Sequence, residues 1–157
     1  MEIQALLEAF SGVCPDHVFE AHTIPIDETV IEVPAACLKK VVACLGSAFS
    51  ISHLSTITGQ DTGTELELLY HFWSEGGLTL RVVLPYSDAR IDSLTDAIAG
   101  ADFYERETAE MLGVRFEGHP RSPLSEADGF EHFLLPEDWR IGPPPLRKEQ
   151  AAEEDES

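Results

Sequence analysis

Apolar residues recur at every second position from Leu66 to Phe72 and again from Leu78 to Leu84, and no helix can satisfy that pattern. Leu66, Leu68, Tyr70 and Phe72 fall on one parity, against Glu65, Glu67, Leu69, His71 and Trp73 on the other. A side-chain period of two is the mark of a strand with one buried face. Glu75-Gly76-Gly77 is a hairpin signal, because glycine adopts tight-turn backbone without steric penalty. Leu78, Leu80, Val82 and Leu84 alternate on the return, and Pro85 closes the strand. Upstream, Phe49, Ile51, His53, Ser55 and Ile57 share one parity and predict a preceding strand, with a turn over Gly59 to Gly63. Three antiparallel strands with a single apolar face need a cover.

Helices before and after the strands can supply it. Ile3, Leu6, Leu7 and Phe10 recur at helical spacing, with Gly12 and Pro15 to end the helix. Thr29 to Val33 is β-branched and reads as a strand. Pro34 then suits a helix start, Leu38, Val41, Val42 and Leu45 its buried stripe, and Gly46 its C-terminal cap. Ile91, Leu94 and Ile98 suggest a short third helix. After Gly100, Asp102 and Glu105 form a capping box for a helix from about Phe103 to Leu112, ended by Gly113. The expected fold class is α+β: a small, mainly antiparallel sheet covered by helices, with an extended, proline-rich C-terminal arm. The chain divides into an α+β domain over 1–117, an arm over 118–148 and an acidic tail over 149–157. The tail holds five acids and no large apolar residue, so it cannot bury enough surface to order itself.

The 157 residues carry 29 acids against 10 lysines and arginines, a net charge of −19. Nucleic-acid binding, which relies on cations neutralising phosphates, is thereby excluded. Docking on anionic lipid through a polybasic patch is excluded too. The longest apolar run, Val41 to Leu45, is far short of the ~20 residues that span a bilayer. Met1 leads into Glu2 without the basic segment of a signal peptide. Contact with a membrane is therefore expected only through partners. Cys14, Cys37 and Cys44 are odd in number, with no CxxC or Cys/His cluster. Cys37 and Cys44 lie ~10 Å apart along one helix, too far to bridge. Reduced, buried thiols are expected.

Chemistry-bearing residues are few. Tyr104, Glu105, Arg106, Glu107 and Glu110 crowd one helix. Paired carboxylates do acid/base work when burial splits their pKa values, so a stand-alone enzyme using Glu107 or Glu110 as base is one reading. Charge clusters on helices more often are structural or interfacial. The six histidines show no metal-binding spacing, and no GxSxG, GxGxxG or GxxxxGK[ST] occurs. The sequence therefore predicts no catalytic residue, metal or cofactor, and favours an interaction subunit. The arm supports this. Prolines 120, 123, 136 and 143–145 forbid regular structure, yet Phe130, Phe133, Leu134, Leu135, Trp139, Ile141 and Leu146 lie among them. Such a surface must lie on something, and Trp139 is its natural anchor.

The segment FYERETAEMLGVRFEGHP from Phe103, followed by LLPEDW and PPLRKE, resembles the 30 kDa subunit, or C subunit, of NADH-quinone oxidoreductase, respiratory complex I. The motif residues are Phe103, Tyr104, Glu105, Arg106, Glu107, Gly113, Phe116, Gly118, His119, Pro120, Leu135, Pro136, Trp139, Pro145, Leu146, Arg147 and Lys148. HLSTITG, ELELLYHFW and LTLRVVLP look like that family's three-stranded sheet. The resemblance covers roughly residues 50–148. Two departures stand out: an acidic insertion over 121–133, and Glu149-Gln150 after Arg147-Lys148. The same subunit type occurs in membrane-bound nickel–iron hydrogenases, formate hydrogenlyases, F(420)H(2) dehydrogenases and photosynthetic NDH complexes.

The resemblance implies a non-catalytic peripheral-arm subunit that binds no redox cofactor. Its partners would be the large, 49 kDa-like, hydrogenase-like subunit and the iron–sulfur subunits. Its location would be the cytoplasmic side of the cell membrane, peripheral through the complex. The residues expected to bind partners are Tyr104, Glu105, Arg106, Glu107, Glu110, His119, Pro120, Leu135, Pro136, Trp139, Arg140, Leu146, Arg147 and Lys148.

Overall fold

A computed structural model describes residues 2–24, 28–74 and 76–121. Helix α1 (Ile3–Val13) buries Leu6 and Phe10, the centre of the predicted stripe. Strands β1 (Ala21–Ile24) and β2 (Glu28–Glu32) pair antiparallel. The sequence reading missed β1, whose four residues are mostly exposed and carry no burial pattern. After a 3-10 turn (Ala35–Cys37), helix α2 (Leu38–Phe49) buries Leu38, Val41, Val42 and Leu45.

Helix α2 does not stop at Gly46 as predicted. It runs three residues on, to a left-handed Ser50 (φ 57°), and the Ile51 N–H donates to the Leu45 carbonyl at 3.0 Å. Phe49 packs against the core one turn beyond Leu45, and that packing outweighs the propensity of an exposed glycine. Strand β3 (Leu54–Asp61) therefore starts later than the Phe49–Ile57 alternation suggested. A register shift between Leu54 and Thr56 turns both Leu54 and Ile57 inward. A bulge of this kind breaks the period of two. Gly59 lies inside the strand rather than in the turn, which follows Asp61.

Strands β4 (Glu65–Trp73) and β5 (Gly77–Pro85) pair antiparallel as the hairpin signal predicts, with Trp73 opposite Gly77 and Tyr70 opposite Leu80. The five-stranded sheet has the order β1-β2-β5-β4-β3, antiparallel except for the β2–β5 pair. The inward residues of β4 and β5 join Leu6, Phe10 and the α2 stripe in one hydrophobic core. On the outer face Arg81 bridges Glu32 of β2 and Glu67 of β4. Trp73, the last residue of β4, is exposed.

The expected helix around Ile91 is instead strand β6 (Arg90–Asp92) followed by a turn. β6 pairs in parallel with β7 (Arg115–Glu117), which follows helix α3 (Ala101–Leu112). Ile91 and Leu94 are buried as foreseen, but strand pairing rather than a helix places them. The cysteines also depart from expectation. Cys14, just past α1, and Cys37, just before α2, form a disulfide across a Cα–Cα distance of 6.2 Å, which falls in the usual range. The α1–α2 packing that brings them together is absent from any local pattern. Cys44 remains free, and burial raises its thiol pKa.

Candidate partner-binding site

Helix α3 carries the densest group of candidate residues, and three features fix its position. Gly113 ends it in the left-handed region (φ 73°), where glycine is least strained. Its face packs on β3 at Gly59, where a β-carbon would run into the Leu112 side chain and come within 3.1 Å of Thr108 Cγ2. The third feature is Glu105, which overturns the capping-box reading. The helix begins at Ala101 without a side-chain cap. Glu105 points inward instead, and its side chain is fully buried. The Leu94 N–H donates to Oε1 and the Ser93 hydroxyl donates to Oε2, each at 2.7 Å. The carboxylate thus ties α3 to the chain just past β6.

Burial pushes the Glu105 pKa above the ordinary carboxylate range, against the lowering effect of the Leu94 N–H, the Ser93 hydroxyl and His119. Desolvation disfavours the charged form, and the hydrogen bonds recover only part of that loss. The Tyr70 phenol is pushed well up, first by its own burial and then by the Glu105 charge, and its hydroxyl finds no hydrogen-bond partner among the described residues.

His119 belongs to this cluster. Its side chain is 7% exposed, and Nε2 lies 3.3 Å from the Asp102 carbonyl oxygen and 3.7 Å from Glu105 Oε2. Arg121 reaches back to the Asp102 carboxylate at 3.4 Å. Thus the chain through Arg121 still packs on α3. Between α3 and β7 opens a cleft of about 410 Å³, with Glu105 and His119 at its base and Arg106, Arg115 and Arg121 among its lining. Arg115 and Arg121 are exposed. Sequence reading missed both as site residues. The available signal was the concentration of arginines after residue 80 in an acidic chain.

Of the predicted residues, the structure gathers Glu105, Arg106 and His119 at this cleft. Tyr104, Glu107 and Glu110 are half-buried elsewhere on α3, and Pro120 is exposed beside His119. Leu135, Pro136, Trp139, Arg140, Leu146, Arg147 and Lys148 lie outside the described residues. The deeply buried carboxylate is Glu105, not the Glu107 or Glu110 of the enzyme reading. Both its oxygens already hold the protein's own donors, so it orients backbone rather than a substrate. Among the described residues, no group of three or more His, Cys, Asp or Glu side chains is arranged to hold a metal ion. No described helix is long and apolar enough to cross a membrane.

Residues 31–156 match the family described as the respiratory-chain NADH dehydrogenase 30 kDa subunit. The chain is 30% identical to the C subunit of the F(420)H(2) dehydrogenase of Methanosarcina mazei, over 95% of this chain and 92% of that protein. It is 38% identical to the C subunit of the NADH-quinone oxidoreductase of Acidothermus cellulolyticus, over 50% of this chain and 38% of that protein. It thus spans nearly all of the first relative and well under two-thirds of the second. Two solved structures share the fold. A trypsin-resistant fragment (1-134) of Nqo5 superposes with a TM-score of 0.63 at 24% identity, covering 77% of this chain and 99% of the fragment. A chain of the archaeal membrane-bound sulfane sulfur reductase superposes with a TM-score of 0.63 at 22% identity, covering 77% of this chain and 74% of its own length.

Proposed function

Because this chain belongs to the 30 kDa subunit family of the respiratory-chain NADH dehydrogenase, we propose that it is a non-catalytic peripheral-arm subunit of a complex I-type proton-translocating oxidoreductase. It docks on the large, hydrogenase-like subunit and holds it in position beside the iron–sulfur subunits, on the cytoplasmic side of the membrane. One observation carries the reading: the family match runs through residue 156, so it takes in both α3 and the proline-rich segment with Trp139. A domain that uses a deeply buried carboxylate to fasten its own backbone has the build of a scaffold.

A second reading has its own support. The Methanosarcina mazei relative matches almost end to end, so the parent assembly is equally an F(420)H(2) dehydrogenase type. In either assembly the partner-binding residues would be those of α3, His119 and Pro120, together with Leu135, Pro136, Trp139, Arg140, Leu146, Arg147 and Lys148.

Purification of the tagged full chain from native membranes tests this. A hydrogenase-like large subunit and iron–sulfur proteins should come with it, and recovery as a lone monomer would refute the proposal. Because His119 and Arg121 pack on α3, the informative deletion is 122–148. The shortened chain should keep its circular dichroism and lose the large subunit. Trp139→Ala should weaken binding by about 2 kcal/mol or more if the indole fills a partner pocket.

A further inference from the structure

The cleft between α3 and β7 has a charge opposite to that of the chain around it. The described lysines and arginines are Lys39, Lys40, Arg81, Arg90, Arg106, Arg115 and Arg121. Three of these seven line the cleft, and among the described residues its only acidic lining residue is Glu105. Glu105 is fully buried and bound to Ser93 and Leu94, so it does not answer Arg115 at the surface. Asp102 answers Arg121. Arg115 is exposed on β7 and forms no ion pair with a described residue. In a protein of net charge −19, a guanidinium with no ion pair among the described residues, beside a concave site, is a local exception to the repulsion of anions. A guanidinium presents parallel N–H groups that match a carboxylate.

We infer that this cleft receives a carboxylate-bearing segment of a neighbouring subunit, with Arg115 as the principal contact and Arg121 at the rim. The inference rests on the proposed function, since it needs a neighbour, and it adds a place and a chemistry to the docking. The volume of about 410 Å³ accommodates the side chains of a short acidic stretch rather than a folded element. His119 and Glu105 floor the cleft and hold its walls together. The chain's own acidic residues beyond Arg121, in the 121–133 insertion and the 149–157 tail among them, are the competing occupant, and the experiment must separate the two.

Arg115→Lys supplies the means, because a carbodiimide joins an amine to a carboxylate only in direct contact, whereas a guanidinium does not react. The assembled complex carrying this variant is treated with carbodiimide, digested and analysed by mass spectrometry beside wild type. The expected result is a new amide between position 115 and an Asp or Glu of another subunit. An amide to an Asp or Glu of this same chain, or no new amide in an intact complex, overturns the inference while leaving the proposed function standing. In parallel, Arg115→Glu should keep its circular dichroism yet recover roughly tenfold less large subunit at low salt. Recovery at the wild-type level also overturns the inference. Wild-type chain recovered without any other subunit overturns the proposed function itself.

Discussion

Replacing Glu105 separates its two roles, filling space and carrying charge. Glu105→Ala strands the Leu94 N–H and the Ser93 hydroxyl, both now at 2.7 Å from carboxylate oxygens in a fully buried site. Each orphaned buried donor costs about 1–3 kcal/mol, and breaking a buried charged network costs about 3–5 kcal/mol in all. Glu105→Gln keeps the shape. Its amide oxygen still accepts from Leu94, and Ser93 can turn its hydroxyl to accept instead. The loss should be about 1 kcal/mol or less. The two proteins should then diverge with pH. The folded Glu105 pKa is raised above its ordinary, unfolded value by burial, so the folded state binds this proton more tightly than the unfolded state. The proton's contribution is fully present below the unfolded pKa and is lost as pH rises through the raised, folded one. Wild type should therefore lose stability relative to Glu105→Gln across that window and level off above it. Urea unfolding of both proteins at closely spaced pH values, followed by circular dichroism, measures the difference. A pH-independent gap between them would refute the account of burial as the dominant influence. An alanine variant losing under 1 kcal/mol would refute the latch.

Cys14→Ser should lower stability by about 3 kcal/mol, because the disulfide closes a loop of 23 residues in the unfolded chain. The matching thiol count in urea should be one, from Cys44, before reduction and three after it. Gly59→Ala should cost about 1–3 kcal/mol, since the added methyl meets Leu112 and Thr108 of α3; an unchanged urea midpoint would mean that α3 rides more loosely on β3. The isolated chain should contain no stoichiometric iron, zinc or flavin by elemental analysis and visible spectroscopy. About one metal per chain, lost on mutating Cys14, Cys37 or Cys44, would refute that prediction.

The legible parts of this fold are those decided by neighbours in the chain. The inward faces of β4 and β5 follow from their alternation, and the α1 and α2 stripes from their spacing. What the sequence hides is decided by distant partners. The bulge at the start of β3 shifts parity within a single residue. β6 becomes a strand only because β7, on the far side of α3, pairs with it. Glu105 satisfies the local capping rule, yet a buried pair of donors at Ser93 and Leu94 wins it instead. The Cys14–Cys37 pairing needs α1 laid beside α2. The cleft follows the same division: α3 was marked by its density of charge, whereas Arg115 and Arg121 join it only through the turn after Gly113.

The parallel pairing of β2 with β5 imposes an order of assembly. Its register sets Glu28 beside Gly77, and everything between, including α2 and the β3–β4 hairpin, must be made before the two strands can meet. Until then β1 and β2 are a lone two-stranded ribbon, marginal in water. The β3–β4–β5 meander, built from neighbours in sequence, is the part able to form early. As the chain leaves the ribosome, everything before β3 therefore waits on the strands that follow. The N-terminal part is the passenger in folding, and the apolar faces of α1 and α2 stay uncovered until the meander arrives to receive them.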